Sequence, residues 1–539
     1  MARVLCRARA RGPLLLATLP QGRPSAISAC LGRRWRPGGS AAGWLAVLLA
    51  LPAPLAALAP LALLASGCGD GRTFAPIVDA PPPGSDGDPY LDLEELRLEV
   101  ARAGDPIALA SAAFARGEAP VLADVPAEPN LVVHLSGRSG GIDVAYGRTC
   151  AADLDKPGAL PTTHLYFSRI VKWADGPTPT TPTRMGGLVV AAVDGSATFV
   201  GGSNAAGAPL LGAERFDPRS GAFTSLAALV PRLGGVVAAL GDGRSLLLGG
   251  VDAAGVPVDR YELISPLAPP ARQVEVTVDA NLRLVGSAAS ALADGRVVVV
   301  GGKTPDAGGV LQVSDLLWLF ATGEGGALEA PRALPAHLTV ARAGHTVTRL
   351  GDGPGAPLLV AGGLDGAGAT VPAAELYRPL RETFADPSEV RLLMRTPRSR
   401  HQAVTMPDGS VLVIGGVDAA GVPVARLEVF SLEAGFSDAG TLPAEAGLVD
   451  FSATVLPDGR VLLVGGRRAP DGPALDGAFI IRLDPLNGVV DVVGTDRLAA
   501  PRAGHAAAAL CDGTVLVLGG AAAGAPGTER YNPPATGRR

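Results

Sequence analysis

The sequence predicts an all-β fold: a seven-bladed β-propeller of four-stranded antiparallel blades, with the last blade closed by a strand from the N-terminal side. Three observations carry this. Gly (72) and Pro (48) are abundant across the 539 residues while aromatics make up 4%, a composition suited to short strands and tight turns. A phrase of the form Asp-Gly, a short apolar run, Gly-Gly recurs seven times. Each copy is followed by a loop and a further strand-like segment.

The repeated phrase reads "DGSATFVGG" from 194, "DGRSLLLGG" from 242, "DGRVVVVGG" from 294, "DGSVLVIGG" from 408, "DGRVLLVGG" from 458 and "DGTVLVLGG" from 512; "DGPGAPLLVAGG" from 352 is three residues longer. The glycine pairs begin at 201, 249, 301, 362, 415, 465 and 519, spacings of 48 to 61 residues, the period of a repeat architecture. Asp-Gly between two apolar runs signals a hairpin. The Val- and Leu-rich run behind it suits a strand buried on both faces. The closing glycines mark close backbone approach or positive φ. A third strand follows, with an aromatic residue in "AERFDP", "DRYELI", "AELYRP" and "TERYNP", and a weaker fourth segment brings Phe223, Phe384 or Phe436.

The seventh unit ends early. Behind "DGTVLVLGG" only nineteen residues remain, enough for one strand around Tyr531 before "PPATGRR". An open blade edge is a liability, so the missing strand is expected from upstream of the first blade, in "THLYFSRIVKWAD" (163–175).

The Gly-Gly pairs, the third-strand aromatics and the unit openings "ARAGH" (341), "PRSRH" (397) and "PRAGH" (501) resemble kelch repeats over roughly residues 160–539. The resemblance implies that His345, His401 and His505, beside Arg342, Arg400 and Arg502, are blade-packing residues. Where kelch repeats favour Trp, this chain has Phe.

The N-terminus has its own signature. The basic "LGRRWRPGG" (31–39) precedes an apolar run from Trp44 to Ala65 and the sequence "LLASGCGD". This resembles the lipobox of bacterial lipoprotein signal peptides and implies lipid attachment at Cys68; an uncleaved anchor or an ordinary cleaved signal is the alternative. Residues 1–67 are thus assigned as signal segment, 68–90 as a flexible tether rich in Pro, Gly and Asp, 91–160 as a small N-terminal β segment, and 161–539 as the propeller. "LDLEELRLEVARAG" (91–104) suits either an amphipathic helix or a strand.

Three of the five cysteines remain from Cys68 onward. With Cys68 lipidated, Cys150 and Cys511 are left as a pair, either disulfide-bonded, which would tie the two chain ends together, or free and buried.

Chemistry is sparse in the sequence. Net charge is −5 with 18% charged residues, so no basic field suggests nucleic-acid binding. No nucleophile elbow, zinc-protease helix or phosphate loop occurs. His134, His164 and His337 have no ligand spacing. The octapeptide "VDAAGVPV", at 251–258 and 417–424, carries one carboxylate, Asp252 or Asp418, too few for a calcium loop. No catalytic, metal or cofactor residue is assigned, and no cofactor is expected. The reading is an exported, lipid-anchored envelope protein, on the outer membrane or a periplasmic face. Its monomeric propeller binds a protein or glycan without catalysis. A carbohydrate-active envelope enzyme with a site at the propeller axis, epimerase- or oxidase-like, is the second reading.

Overall fold

A computed structural model describes residues 72–534 except 156–162, 182, 193, 389–390, 485–489 and 523. The signal segment and Cys68 lie outside the described residues. Among these residues no helix is long and apolar enough to cross a membrane, and apart from three short 3-10 turns all regular structure is β.

The chain first builds ten strands: β1 (Arg72–Phe74), β2 (Ile77–Asp79), β3 (Glu95–Arg102), β4 (Ala108–Ala115), β5 (Leu122–Val125), β6 (Leu131–Ser139), β7 (Ile142–Arg148), β8 (His164–Tyr166), β9 (Ser168–Arg169) and β10 (Lys172–Asp175). A five-stranded sheet runs β4-β3-β6-β7-β9, flanked by the pairs β1-β5 and β2-β8. Its core is its own, with Phe74, Leu96, Leu98, Val133, Leu135 and Phe167 buried together. One expectation changes here and one open alternative is decided. The segment 68–90, expected as a flexible tether, contributes β1 and β2, because Phe74 is buried and Val78 packs against the same core. Within 91–104, Glu95–Arg102 form a strand: alternate side chains Leu96, Leu98 and Val100 point to one buried face, a period of two that a helix would not satisfy.

Seven four-stranded antiparallel sheets follow among the described residues, an arrangement compatible with a propeller. The first is Leu188–Ala191, Ala197–Val200, Glu214–Asp217 and Ala222–Ser225. In every sheet the second strand is the apolar run between Asp-Gly and Gly-Gly, and all seven are buried from end to end. Apolar clusters join each sheet to its neighbours, as where Leu359 and Ala361 pack with Val411 and Val413. The expected fourth-strand phenylalanines stack on third-strand aromatics, with Phe216–Phe223, Tyr377–Phe384 and Phe430–Phe436 centroids 5.1, 5.6 and 4.9 Å apart. The first strands of successive sheets touch, and that of the seventh, Ala506–Ala509, also touches that of the first.

The seventh sheet takes three strands from the C-terminus and its outer strand from β10, in the order β10, Thr528–Asn532, Val515–Leu518, Ala506–Ala509. Trp173 lies opposite Tyr531, ring centroids 5.1 Å apart. Only Lys172–Asp175 of the segment 163–175 pairs there. β8 and β9 belong to the N-terminal sheets instead, since Leu165 and Phe167 are drawn into the N-terminal core.

The Gly-Gly pairs lie where consecutive sheets meet. Gly362 has φ 64°, and a Cβ there would stand 2.3 Å from the Arg398 carbonyl of the next sheet. Gly519, at φ 76°, meets the Arg184 carbonyl of the first sheet in the same way. Only glycine accommodates both the left-handed backbone and the absent space.

Candidate functional site

Five sheets bury an ion pair at the same place. Arg184–Glu214, Arg342–Glu375, Arg398–Glu428 and Arg502–Glu529 are separated by 3.1, 2.6, 2.7 and 2.8 Å, and Arg232 pairs with Glu262. The arginine precedes the first strand and the glutamate lies on the third. In the fifth sheet, Arg398 Nη1 donates to the carbonyls of Gly415 (3.1 Å) and Arg426 (2.7 Å), and Nε donates to Thr396 O (3.0 Å). The Glu428 carboxylate also accepts the amides of Arg395 (2.8 Å) and Thr396 (3.0 Å). One guanidinium thus ties the entering loop, the Gly-Gly and the third strand together. Burial opposes the charges, pushing Glu262 up and Arg232 down from their ordinary values, and the hydrogen bonds offset that cost.

In the third and sixth sheets the whole pair is replaced. The carbonyls of Leu284 and Leu448 accept the amides of Gly250 and Gly416, as the arginine carbonyls accept the equivalent glycine amides elsewhere. Trp318 and Phe479 occupy the glutamate's register, opposite Val299 and Leu463. An apolar pair thus replaces both charges together. These groups are committed to the framework.

The histidines are framework too. His345, His401 and His505 are buried, and each sits against the first glycine of the preceding sheet's pair; in the sixth sheet Phe451 fills that place against Gly415. Thr346 Oγ1 is 2.9 Å from His401 Nε2, and Ser452 Oγ is 2.8 Å from His505 Nε2. Burial first, and the nearby Arg342, Arg398 or Arg502 second, push each imidazole down to about 3. The unfolded chain therefore takes up these protons near pH 6.5 while the folded chain does not, so stability is full above that pH and falls as pH drops toward 3. Replacing His505 by Phe, as the sixth sheet does at Phe451, is expected to flatten urea-midpoint profiles between pH 6.5 and 4; an unchanged slope would refute the buried neutral assignment. The arginine in register with these pairs in the fifth sheet is Arg398, not Arg400 as the resemblance suggested; Arg400 takes a different place.

The other histidines pair locally: His134 with the Tyr146 hydroxyl (2.6 Å), His164 with Asp79 (2.6 Å) and His337 with Asp315 (3.2 Å). Asp252 and Asp418 accept amides of their own loops, Ala254 and Val256 in one, Ala420 and Val422 in the other. They are turn-forming carboxylates.

Cys150 and Cys511 are brought together as a disulfide with Cα atoms 5.0 Å apart, within the ordinary span. Beside it, Arg148 Nη2 donates to the Cys511 carbonyl at 3.3 Å, and the Arg530 guanidinium lies 3.9 Å from the centre of the Tyr166 ring.

Two features at the ends of the first strands face open space. A cavity of about 440 Å³ lies among the first strands of the third to sixth sheets, with Ser290, Thr348, Thr405 and Val455 in its wall. Its cation, Arg349, already donates to the Gly351 carbonyl and the Asp352 carboxylate. The second feature is at the opposite end of these strands. The residue two positions after the ion-pair arginine, or after Leu284 or Leu448, has positive φ in every sheet: Gly186, Gly234, Gly286, Gly344, Arg400, Asp450 and Gly504. Several are hydrogen-bonded in sequence, Gly344 N to Gly286 O (2.8 Å), Gly504 N to Asp450 O (2.8 Å) and Gly186 N to Gly504 O (2.7 Å). Arg400 (φ 56°) and Asp450 (φ 55°) break the glycine pattern. Their side chains pair at 2.9 Å, and Arg467 lies 3.6 Å from the other Asp450 oxygen.

Magnitudes bear on this exception. A left-handed side-chain-bearing residue costs about 1–2 kcal/mol, while an exposed ion pair contributes about 0.2–1 kcal/mol. With Arg400 half exposed, the pair does not recover the backbone cost. The sequence carried a signal here, a Gly-to-Arg and a Gly-to-Asp change at one register of "RxG", but that register is visible only once Arg398 is aligned with Arg342.

No family model matches the chain, and no curated protein sequence matches it. Among solved structures, that of YjhT is similar over 66% of this chain and 94% of its own, with 13% identity and a TM-score of 0.40.

Proposed function

We propose that the seven sheets are blades of a closed kelch-type propeller on a lipid-anchored envelope protein, and that this propeller is a non-enzymatic binding scaffold. The carrying observation is the division of labour among side chains. The buried arginines, glutamates and histidines of the repeats are spent within and between sheets, while the loops after Gly-Gly hold aliphatic side chains out to solvent. Leu211, Val256, Val310 and Val422 are all more than half exposed on these loops. Rigid sheets carrying variable exposed loops are a general solution for recognition.

The anchor would act close to the folded domain. Because β1 begins at Arg72, three residues separate it from Cys68, a reach of at most about 14 Å over the four steps. The N-terminal domain, rather than a long tether, then sets the distance from the bilayer.

Two measurements test this reading. A lipid-precursor label that enters the protein, is blocked by globomycin and is lost in Cys68→Ala is expected; label persisting in that variant refutes the anchor. Envelope-protein and glycan arrays are expected to return binders that are recovered unchanged. Conversion of an arrayed glycan would favour an enzyme at the axis instead.

A further inference from the structure

We infer that a cavity of about 440 Å³ between the N-terminal domain and the sixth and seventh sheets binds an ammonium group with an oxygen acceptor beside it. That chemistry is shared by amino sugars and by the free N-terminus of a peptide. The site stands independently of the scaffold reading above.

Most of the wall comes from three parts of the chain. Residues 82–87 belong to the segment expected as a tether, residues 173–175 end β10, and residues 496–499 lead from the sixth sheet into the seventh. Both loops are fixed in advance. Buried Asp88 accepts the amides of Gly84 (2.8 Å) and Tyr90 (2.9 Å), and its own amide donates to the Ser85 carbonyl (3.0 Å). Across the cavity, the Ala499 amide donates to the Glu529 carboxylate (2.6 Å) and the Leu498 amide to the Asp476 carbonyl (3.0 Å). A wall held this way loses little freedom when a ligand enters.

The charge of the wall selects the ligand. Five carboxylates line it, Asp86, Asp175, Asp476, Asp496 and Glu529, against one cation, Arg497. Arg497 pairs with Asp476 (3.0 Å), Lys172 with Asp496 (3.1 Å) and Arg502 with Glu529 (2.8 Å). Arg169, beside the first loop, gives Nη1 to the Leu91 carbonyl at 3.0 Å. Asp86 and Asp175 are exposed and keep no cation or hydrogen-bond donor among the described residues, so two negative charges go unmatched. No three acidic, histidine or cysteine residues stand close enough to hold a metal ion among the described residues. An ammonium group, by contrast, offers three donors that can reach separate carboxylates. The wall also supplies a donor of its own. Trp173 is 4% exposed, and its indole N–H has no acceptor among the described residues. It shares one face of β10 with Asp175, as alternate strand residues do. An oxygen carried beside the ammonium would complete that N–H, whose burial is otherwise costly.

Calorimetric titration of the full-length protein with glucosamine and with trialanine, each against its N-acetylated form, tests the site. At least one amine is expected to bind at least tenfold better than its acetylated counterpart, and the arm that does so identifies the source. The decisive variant is D86N/D175N, which neutralises two exposed carboxylates and should keep the Tm. It should lose at least tenfold of the amine binding. Trp173→Phe keeps an aromatic ring against Tyr531 but removes the N–H, and should weaken the same amine at least threefold. Equal binding of amine and acetylated forms, unchanged binding by either variant, or no binding of any probe would each overturn the inference.

Discussion

Replacing Arg398 with leucine is expected to cost about 3–5 kcal/mol of stability, the usual penalty for leaving one charge of a buried pair without its partner. Glu428 would keep the amides of Arg395 and Thr396 but lose its cation in a fully buried site. The carbonyls of Gly415 and Arg426 would lose a donor as well. The informative comparison is the double variant R398L/E428F, which rebuilds in the fifth sheet what Leu448 and Phe479 provide in the sixth. Because removing both charges leaves no buried ion, the double should recover about 2 kcal/mol or more relative to the single. Urea unfolding of wild type, both singles and the double closes the cycle. A double as unstable as the sum of its singles would show that the sixth sheet tolerates the apolar pair for reasons of its own. In that case Leu448 and Phe479 would not be an equivalent solution to the same packing problem.

The comparison of these sheets also shows what kind of information the sequence exposes. The second strands were legible because Asp-Gly and Gly-Gly are short-range signals whose residue types have one main physical use. The outer strand of the seventh sheet was legible in kind from the short final unit. Its limits were not, because "THLYFSRIVKWAD" serves three sheets and a strand-like stretch does not announce its partners. The expected tether failed for a related reason: Phe74 and Val78 sit in a segment otherwise rich in Pro, Gly and Asp, and composition averages away two apolar residues that find a core. The ion pairs were missed because arginine and glutamate lie about thirty residues apart, beyond any local pattern. Aligning the histidines to the nearest arginine then put Arg400 in the place of Arg398. Correcting that register separates a framework cation from the exposed one. The acidic cavity stayed hidden for the same reason as the ion pairs, since its wall joins residues 82–87, 173–175 and 496–499.

The largest effect on the whole chain is expected from the disulfide. Cys150 and Cys511 are 361 residues apart in sequence, and the chain-entropy model assigns a crosslink of that span about 6 kcal/mol. The full amount requires that the unfolded chain be free to separate these ends. It also requires that the folded ends fit the bond without distortion, which their Cα separation of 5.0 Å satisfies. Several contacts would outlast reduction. Asn532 donates from Nδ2 to the carbonyls of Tyr146 and Ser168 at 2.7 and 2.9 Å, β10 keeps its register on Thr528–Asn532, and Arg530 stays against Tyr166. The native structure should therefore persist in the C150S/C511S variant, with an unchanged far-ultraviolet spectrum, while its unfolding midpoint in urea falls by the equivalent of about 3–5 kcal/mol. Reduction of wild type should reproduce the shift, and the double variant should be indifferent to reductant. Coincident oxidised and reduced transitions would mean that the strand pairing and the Asn532 contacts already hold the ends in the unfolding ensemble. The bond would then stabilise by local packing at the turn around Cys511 rather than by closing the chain.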